Sequence, residues 1–547
     1  MQQDEPRADD RDGHDGQGSH DAHDAHDGRR RQATRRAVIA GGIGLGVAGV
    51  LAACSRPGPA PSGSPTASGP ASGPSGSGTP SSAPSSPASG GPDSWDALAA
   101  AVSGTLLRSG SSGWDAARVL QNPRYDDADP QAVLRVAGDA DVQAAFAFAR
   151  NTRTPVALRS GGHSYTGWSA GGAAGTGVPR SLVISTQDLD AVRVDGDTAT
   201  IGPGARLADV YAALARSGRA IGSGSCPTVG IGGLTLGGGV GVLVRSFGLT
   251  CDQLTGVTLV TPDGSAHQVS ATAEPDLFWA CRGGGGGTVG VVTSMTFRTQ
   301  PAPPVLLFSI VFPWASAAAV VRAWQDWAPV ADRRLWSTLK LLNGTRHSAP
   351  TVTVTGVWTG PKSGADASVD GFIAATGATP TSHTADELTY GDAMVRLAGR
   401  SQRVSEAATS SIGTRKLSDA EIAVLVRQAA AAGDVAGNRE GGVALDALGG
   451  AVADVGRTDS AFPWRNALMT VQYTAVFADG ADPTPFDAYV RGFRQAMAPA
   501  WGSGAYANYC DAAITDPSAY FDVNTSRLHR LAEQADPGGV LDQPHWV

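Results

Sequence analysis

The sequence lacks the features of two common classes of protein, the basic nucleic-acid-binding proteins and the small disulfide-rich or zinc-binding domains. It has no basic surplus, since 42 basic side chains face 50 acidic ones among 547 residues, and this argues against binding of nucleic acid. It has only five cysteines, which excludes a small disulfide scaffold, and their spacing fits no zinc site. The length instead allows a large two-lobed body or about two to three domains.

The first 28 residues contain almost no large apolar side chains. They carry nine Asp or Glu, two Arg and four of the ten His residues of the chain. We interpret them as a disordered, solvated tail, because such a composition cannot bury a core. Loose metal binding stays an alternative for the four histidines, His14, His20, His23 and His26.

A predicted export signal follows, with the order of basic, apolar and small residues that such signals have. Thr34-Arg35-Arg36 resembles a twin-arginine signal, and residues 51–54 resemble a lipobox in which Cys54 would carry the lipid. The apolar stretch at 37–53 has 17 residues and five glycines, which is marginal for a membrane-spanning helix. We expect an exported protein, tethered to the outer face of the cytoplasmic membrane through this segment alone. An uncleaved anchor or a signal without lipid stays open.

Residues 55–92 are predicted to be a flexible linker, because 37 of these 38 residues are Pro, Gly, Ser, Ala or Thr. The folded body is expected to begin near residue 93. Its first part alternates between strand and helix patterns and is therefore mixed α and β. Strands are predicted at 154–159, 182–185, 198–201, 254–260 and 289–297, and helices at 139–150 and 207–216.

A second lobe is predicted from about residue 304 to 500. Aromatic and β-branched strand patterns, at 351–358 and 468–477, lie there among Ala-rich helical stretches. The residues after 500 return to Gly, Tyr and Asn motifs, and we expect them to pack on the first lobe.

Three glycine-rich clusters lie at residues 159–165, 226–241 and 283–287. Glycine lets backbone N–H groups approach an anionic ligand closely, which suits a phosphate-bearing cofactor. No cluster continues into the Lys-Ser or Lys-Thr of a P-loop, and residues 237–241 lack the spacing of a dinucleotide fingerprint. Structural turns alone would explain any one cluster, but three clusters beside reactive side chains favour a cofactor site.

Five segments resemble the FAD-linked oxidases of the berberine bridge enzyme-like type, within the vanillyl-alcohol oxidase superfamily. Residues 159–165 have that family's Arg-Ser-Gly-Gly-His-Ser-Tyr motif, and residues 226–233 are similar to its Cys-Pro-Thr-Val-x-x-Gly-Gly motif. Residues 276–284 resemble its Asp-Leu-Phe-Trp-Ala-x-Arg-Gly-Gly motif. Residues 506–511 and 524–528 resemble its C-terminal signature. The resemblance extends from about residue 124 to the C-terminus.

The resemblance implies an α+β fold. A PCMH-type FAD-binding domain of two α/β subdomains is expected at 93–303, and a substrate domain with an antiparallel sheet covered by helices at 304–500. The C-terminal segment, 501–547, would return to the FAD domain. Two departures from the family, Leu234 for His and Thr288-Val289 for Asn-Phe, are expected to adjust the flavin surroundings without abolishing binding.

The resemblance also implies that the flavin is bonded to two side chains, His163 at the 8α-carbon and Cys226 at C6. An imidazole and a thiolate are both nucleophiles suited to these electrophilic positions. Buried structural roles stay open for both residues. The other residues expected to bind FAD are Arg159, Ser160, Gly161, Gly162, Ser164, Val229, Gly232, Gly233, Gly237, Gly238, Val291, Asn508 and Tyr509. No metal is expected.

Oxidation of an alcohol by flavin needs a base for the hydroxyl proton. By resemblance to sugar-oxidising members, Tyr509 is the predicted base, with its phenolate favoured by the flavin and neighbouring groups. Tyr506 and Tyr165 are predicted to be further catalytic residues that line the substrate side. Gln472 and Tyr473 are expected to contact substrate. Core or sheet packing is the alternative for all five residues.

Together these assignments predict an FAD-dependent oxidase that acts on a hydroxyl group of a carbohydrate or similar polar substrate. Hydride would pass to flavin N5, and Val229, at the position that gates oxygen in the family, favours O₂ as acceptor and H₂O₂ as product. A natural-product tailoring oxidase and a non-catalytic surface lipoprotein are the alternatives. The remaining cysteines, Cys251, Cys281 and Cys510, are expected to be buried free thiols, although a disulfide stays possible.

Overall fold

The computed structural model describes residues 91–399 and 402–541. The predicted tail, export signal and linker up to residue 90 lie outside these residues, as does the end of the chain from 542. Among the helices of the described ranges, none combines the length and the apolar character needed to cross a membrane.

The first lobe, residues 91–304, contains three sheets ordered β1-β2-β4-β3, β5-β6-β10-β8-β9 and β11-β7. The strands are β1 Thr105–Leu107, β2 Ala132–Arg135, β3 Val156–Arg159, β4 Leu182–Ser185, β5 Val192–Asp195, β6 Thr198–Ile201, β7 Arg219–Ala220, β8 Leu254–Val260, β9 Ala266–Ser270, β10 Val291–Arg298 and β11 Gln300–Pro301. The helices are α1 Trp95–Ala101, α2 Trp114–Arg118, α3 Asp139–Thr152, α4 Leu207–Arg216, α5 Ile231–Leu236, α6 Val244–Phe247 and α7 Pro275–Ala280.

The first sheet directs the chain toward the first glycine cluster. β2 and β3 both pair with β4 in parallel, and parallel strands need a crossover connection, which α3 supplies. In α3, Val142, Ala145, Phe146 and Ala149 recur at helical spacing and are buried. β3 therefore delivers residues 160–165 to the carboxyl end of the parallel strands β2, β3 and β4, where open α/β sheets bind their ligands.

The second lobe, residues 305–501, is built on a seven-stranded sheet with the order β15-β12-β14-β13-β17-β18-β16. All of its pairings are antiparallel. The strands are β12 Val305–Phe312, β13 Leu335–Asn343, β14 Thr351–Trp358, β15 Ser382–Leu388, β16 Ser405–Gly413, β17 Glu440–Ala447 and β18 Met469–Phe477. The helices are α8 Ala317–Trp327, α9 Lys362–Thr376, α10 Tyr390–Leu397, α11 Asp419–Ala430 and α12 Thr484–Trp501.

The two faces of this sheet differ in chemistry because side chains alternate along each strand. One face is apolar and packs against α8, α9, α11 and α12 in one hydrophobic core. The opposite face, which we call the polar face, carries charged and hydroxyl side chains that pair across the strands in register. Its central members are Thr338, Lys340, Asp446, Thr470 and Gln472.

After α12 the chain returns to the first lobe. A single 3₁₀ turn, Ala507–Tyr509, is followed by α13 Ser518–Phe521 and α14 Thr525–Ala535. Asn508 Nδ2 donates to the carbonyl of Leu234 in the first lobe, at 2.8 Å. Ser410 Oγ, on the polar face, donates to the carbonyl of Tyr509 at 3.0 Å. The C-terminal turn thus joins the polar face to the second glycine cluster.

The predicted α+β fold, with an antiparallel sheet covered by helices, is confirmed. Five predicted elements have the observed bounds: the strands at 182–185, 198–201, 254–260 and 351–358, and the helix at 207–216. The helix predicted at 139–150 continues to Thr152, and the strand predicted to begin at 289 begins at Val291. Gly290 precedes that strand with a φ of 144°, which lies outside the strand region.

Candidate active site

A cleft opens where the first lobe, the C-terminal turn and the polar face meet. It is lined by residues from three stretches, 158–169, 229–234 and 507–510, and by Gly286. Its volume, counted out to the solvent opening, is about 980 Å³. A second cavity of about 470 Å³ shares Leu158, Ser160, Gly233 and Gly286 with the cleft. The two spaces are therefore neighbours, and we call them together the elongated site.

The three glycine clusters converge on this elongated site. A Cβ at Gly161 would overlap the backbone of Gly230, so glycine is required for the first two clusters to touch. At Gly233 and Gly286, by contrast, no described atom from outside the adjoining backbone lies within 4 Å of the place where a Cβ would stand. The open main chain at these two positions forms a cradle that suits the phosphates of a cofactor.

His163 and Cys226 approach each other from two different loops. His163 Nε2 lies 3.0 Å from Thr228 Oγ1, and the half-buried Cys226 Sγ lies 3.7 Å from the same oxygen. Burial lowers the pKa of His163 to about 4, and Arg206 acts in the same direction, against the hydrogen bond with Thr228. The imidazole is therefore neutral at neutral pH. His163 lines the cleft, whereas Cys226 lines neither cavity and is held near His163 through Thr228.

The other predicted FAD-binding residues divide between the two cavities. Those that line the cleft are Ser160, Gly161, Gly162, Ser164, Val229, Gly233, Asn508 and Tyr509. Those that line the second cavity include Arg159, Gly232 and Val291. Gly237 and Gly238 line neither, because Gly237 packs on Asn508 and Gly238, with φ of 118°, packs on Phe462. These two glycines shape the turn behind the cleft.

Tyr165 and Tyr509 line the cleft on the side of the polar face. Their rings meet edge to face with centroids 6.0 Å apart, and Gln472 Nε2 donates to the Tyr165 hydroxyl at 2.8 Å. Burial raises the pKa of Tyr509 well above its ordinary value, and the Asp446 carboxylate raises it further. Burial and the neighbouring protein groups therefore disfavour the Tyr509 phenolate, contrary to what was expected of these groups.

Tyr506 lies behind the cleft and does not line it. Its hydroxyl accepts hydrogen bonds from the backbone N–H groups of Gly239 and Val240, at 2.9 and 3.1 Å, and from Asn508 Nδ2 at 2.8 Å. Only 1% of the residue is exposed. The predicted catalytic role of Tyr506 is corrected to a positioning one, since these bonds fix the turn that carries the second glycine cluster.

Tyr473 also lies away from the cleft. It follows Gln472 on β18 and so points to the opposite face of the sheet. Its ring packs against Phe493 of α12, with centroids 4.7 Å apart, and its hydroxyl donates to Ser411 Oγ at 3.2 Å. The predicted substrate contact by Tyr473 is corrected to core packing, whereas Gln472 reaches the cleft through Tyr165.

The polar face also carries charged residues that no sequence motif predicted. Asp446 on β17 stands opposite Thr338 and Thr470 in register, and burial raises its pKa against the opposing influence of Thr338 and Lys340. Glu406 on β16 faces the same side, and burial raises its pKa to about 7. The alternation of small or polar and apolar residues in β17 was the signal that could have identified Asp446.

Cys251, Cys281 and Cys510 are buried free thiols. Cys510 lines the cleft beside Tyr509, and its Sγ lies 3.7 Å from Thr166 Oγ1. Burial raises the pKa of the Cys510 thiol to about 11, so this sulfur is a poor nucleophile at neutral pH.

Comparison with known proteins gives consistent matches along the chain. Residues 130–270 match the family model of an FAD binding domain. The chain is 31% identical over 459 residues to YvdP, an uncharacterized FAD-linked oxidoreductase of Bacillus subtilis, covering 82% of this chain and 98% of that one. It is 28% identical over 461 residues to a chitooligosaccharide oxidase of Gibberella zeae, covering 80% and 91%. The solved structure of Physcomitrella patens BBE-like 1 superimposes with a TM-score of 0.73 at 26% identity, covering 81% and 96%.

Proposed function

The chain belongs to the berberine bridge enzyme-like FAD-linked oxidoreductases of the PCMH-type, or vanillyl-alcohol oxidase, superfamily, and from this we propose that it oxidises a CH–OH group of a carbohydrate or similarly polar molecule. O₂ is the proposed acceptor and H₂O₂ the product. Similarity to a chitooligosaccharide oxidase over 80% of this chain supports the substrate class.

The observation that carries this proposal is that Tyr509 lines the cleft and is near enough to Asp446 for that carboxylate to raise its pKa. Flavin bound in this site would supply the hydride acceptor and would return the electrons to O₂. Tyr509 is proposed to accept the substrate hydroxyl proton at its phenolic oxygen while its own proton moves toward the Asp446 carboxylate. Burial raises the pKa of both groups, and the Asp446 carboxylate disfavours a phenolate at Tyr509, so the pair favours a single negative charge.

The polar face would orient the substrate for this transfer. Gln472 already holds the Tyr165 hydroxyl, so both residues can present a hydrogen bond to a hydroxylated ligand. Thr470 Oγ1 and Trp336 Nε1 are buried polar atoms of the second lobe without a hydrogen-bond partner among the described residues. Buried polar atoms are normally paired, and substrate hydroxyls would satisfy donors and acceptors of this kind.

We propose that FAD is held by main-chain groups at Gly233 and Gly286 and is bonded to His163 and Cys226. The shared Thr228 contact and the neutral imidazole support the double attachment. At each residue a flavin C–H bond and an N–H or S–H bond would be replaced by one new bond, and O₂ would take up the two electrons and two protons that each attachment releases. Val229, which lines the cleft, is proposed to leave room for O₂ beside the flavin.

Export is proposed on the sequence of residues 29–54, with Cys54 as the site of lipid attachment. The catalytic body would then act outside the cytoplasm, where glycans are accessible.

Anaerobic mixing of the holoenzyme with chito-, xylo- and glucooligosaccharides tests the function. A substrate should bleach the visible flavin band, and air should restore the band with release of one H₂O₂ per flavin. Bleaching by a phenolic compound but by none of the sugars would replace the carbohydrate proposal with a tailoring oxidase. A flavin that no compound bleaches would favour a binding protein.

A further inference from the structure

Lysine is scarce in this protein, and one of its lysines stands in an unusual place. Only three of the 42 basic residues are lysines: Lys340, Lys362 and Lys416. Lys362 pairs with Asp366 at 2.6 Å and Lys416 with Asp326 at 2.7 Å, all at exposed positions. Lys340 forms no salt bridge with any residue that the structure describes. It is also the lysine on the polar face, and it is exposed there.

Register fixes the neighbours of Lys340 on that face. Lys340 stands opposite Ala444, and Ala444 stands opposite Gln472. Directly paired residues share a face, and two strand spacings separate the Lys340 and Gln472 backbones by about 10 Å. Because Ala444 carries only a methyl group, its side chain leaves space for a ligand between the Lys340 ammonium and the Gln472 amide. A ligand that reaches Tyr165 and Tyr509 can therefore also reach Lys340.

Asp446 does not neutralise this ammonium. It lies diagonally from Lys340, since its direct partner on β13 is Thr338, and such diagonal neighbours are about 7–8 Å apart. Lys340 influences Asp446 through space, as its opposing effect on the pKa of that carboxyl indicates. The solvent side of the ammonium remains available to an anion. A lysine is a compact, flexible point charge, suited to a carboxylate that can sit at more than one angle.

From this register and from the ammonium, unpaired among the described residues, we infer that Lys340 selects a polyhydroxylated substrate that also carries a carboxylate, an acidic sugar such as a uronic acid. The inference rests on the proposed function and names its substrate class. The carboxylate would pair with Lys340, while the hydroxyl to be oxidised would lie near Tyr509, on the far side of Gln472.

The test uses pairs of ligands that differ in whether C6 carries a carboxylate: D-glucuronate against D-glucose, and trigalacturonate against its trimethyl ester. The holoenzyme, Lys340→Gln, Lys340→Arg and Lys362→Gln are compared. Lys362→Gln makes the same chemical change at an exposed ion pair on α9. Anaerobic flavin reduction gives a rate and an apparent Kd for each ligand, and calorimetric titration gives a Kd without turnover.

We expect Lys340→Gln to weaken binding of the anionic members by about tenfold, the effect of losing a hydrogen bond to a charged group. Binding of the neutral members should stay within about twofold, which is the scatter of surface substitutions. Lys340→Arg should retain most of the preference for the anionic ligand, and Lys362→Gln should change the binding of neither the anionic nor the neutral ligand. High salt should reduce the wild-type preference, because exposed charges are screened.

Equal losses for charged and neutral ligands would assign Lys340 to tuning Asp446 and overturn the inference. Wild-type enzyme that oxidises the neutral sugars and ignores the acidic ones would also overturn it, with the proposed function intact. If no sugar bleaches the flavin, the proposed function fails, and calorimetry decides the inference alone. In that case the inference would be rejected if Lys340→Gln bound glucuronate as tightly as wild type, or if wild type did not bind glucuronate.

Discussion

Replacing Tyr509 by phenylalanine removes one hydroxyl from the cleft and leaves its ring in place. The ring packs edge to face against both Tyr165 and Tyr506, with centroids 6.0 and 4.9 Å apart, and phenylalanine keeps these contacts. The variant should therefore fold and bind flavin. A positioned base contributes typically 10²–10⁴ in rate, which corresponds to about 3–5 kcal/mol of the barrier. We expect the rate of flavin reduction to fall by about that factor.

Anaerobic stopped-flow absorbance at saturating substrate measures this rate directly. Tyr506→Phe is the matched control, because it deletes a hydroxyl that the structure assigns to positioning. That deletion leaves the N–H groups of Gly239 and Val240 without their acceptor, so it should lower the free energy of unfolding by about 1–3 kcal/mol and slow reduction far less. Reduction of Tyr509→Phe at the wild-type rate would refute the assignment of the base.

Three further outcomes follow from buried groups. Arg465 and Asp252 form a bidentate ion pair with both N–O distances at 2.7 Å, and the Arg465 side chain is 0% exposed. Arg465→Met should lower the free energy of unfolding, measured by chemical denaturation, by about 3–5 kcal/mol. An unfolding free energy equal to that of wild type would contradict this. Burial raises the pKa of Glu406 from its ordinary 4.5 to about 7, so native protein retains a proton that unfolded protein has lost between these values, and stability should fall as pH rises through this window. Glu406→Gln should remove that fall, and an unchanged pH profile would count against it. Tyr473→Phe should cost about 1 kcal/mol, the value of its hydrogen bond to Ser411, and leave turnover unchanged; a large loss of turnover would return Tyr473 to the substrate site.

The local elements could be predicted because their causes are local. Residues 207–216 have apolar side chains at helical spacing after a Gly-Pro-Gly turn, and residues 254–260 end at a Pro-Asp-Gly turn. The glycine clusters were informative for a similar reason, since close backbone approach at positions such as Gly161 leaves few alternatives to glycine.

The polar face could not be predicted, because it depends on register between distant strands. Lys340, Asp446 and Gln472 are brought together by pairings across β13, β17 and β18, and no short motif encodes such pairings. Gln472 and Tyr473 both looked suitable for contacting substrate, and they differ only in the face of the sheet to which each side chain points. Tyr506 and Tyr509 likewise share one motif, although only Tyr509 lines the cleft.

The central claim is that one flavin is bonded to His163 and Cys226, whose side chains meet at the Thr228 hydroxyl. Mass spectrometry of acid-denatured, protease-digested holoenzyme tests it most directly. We predict a yellow precipitate and a single FAD that links the peptide containing His163 to the peptide containing Cys226, while His163→Ala and Cys226→Ala each keep the flavin through the remaining bond. A colourless precipitate from wild-type protein, with all of the flavin in the supernatant, would contradict the account.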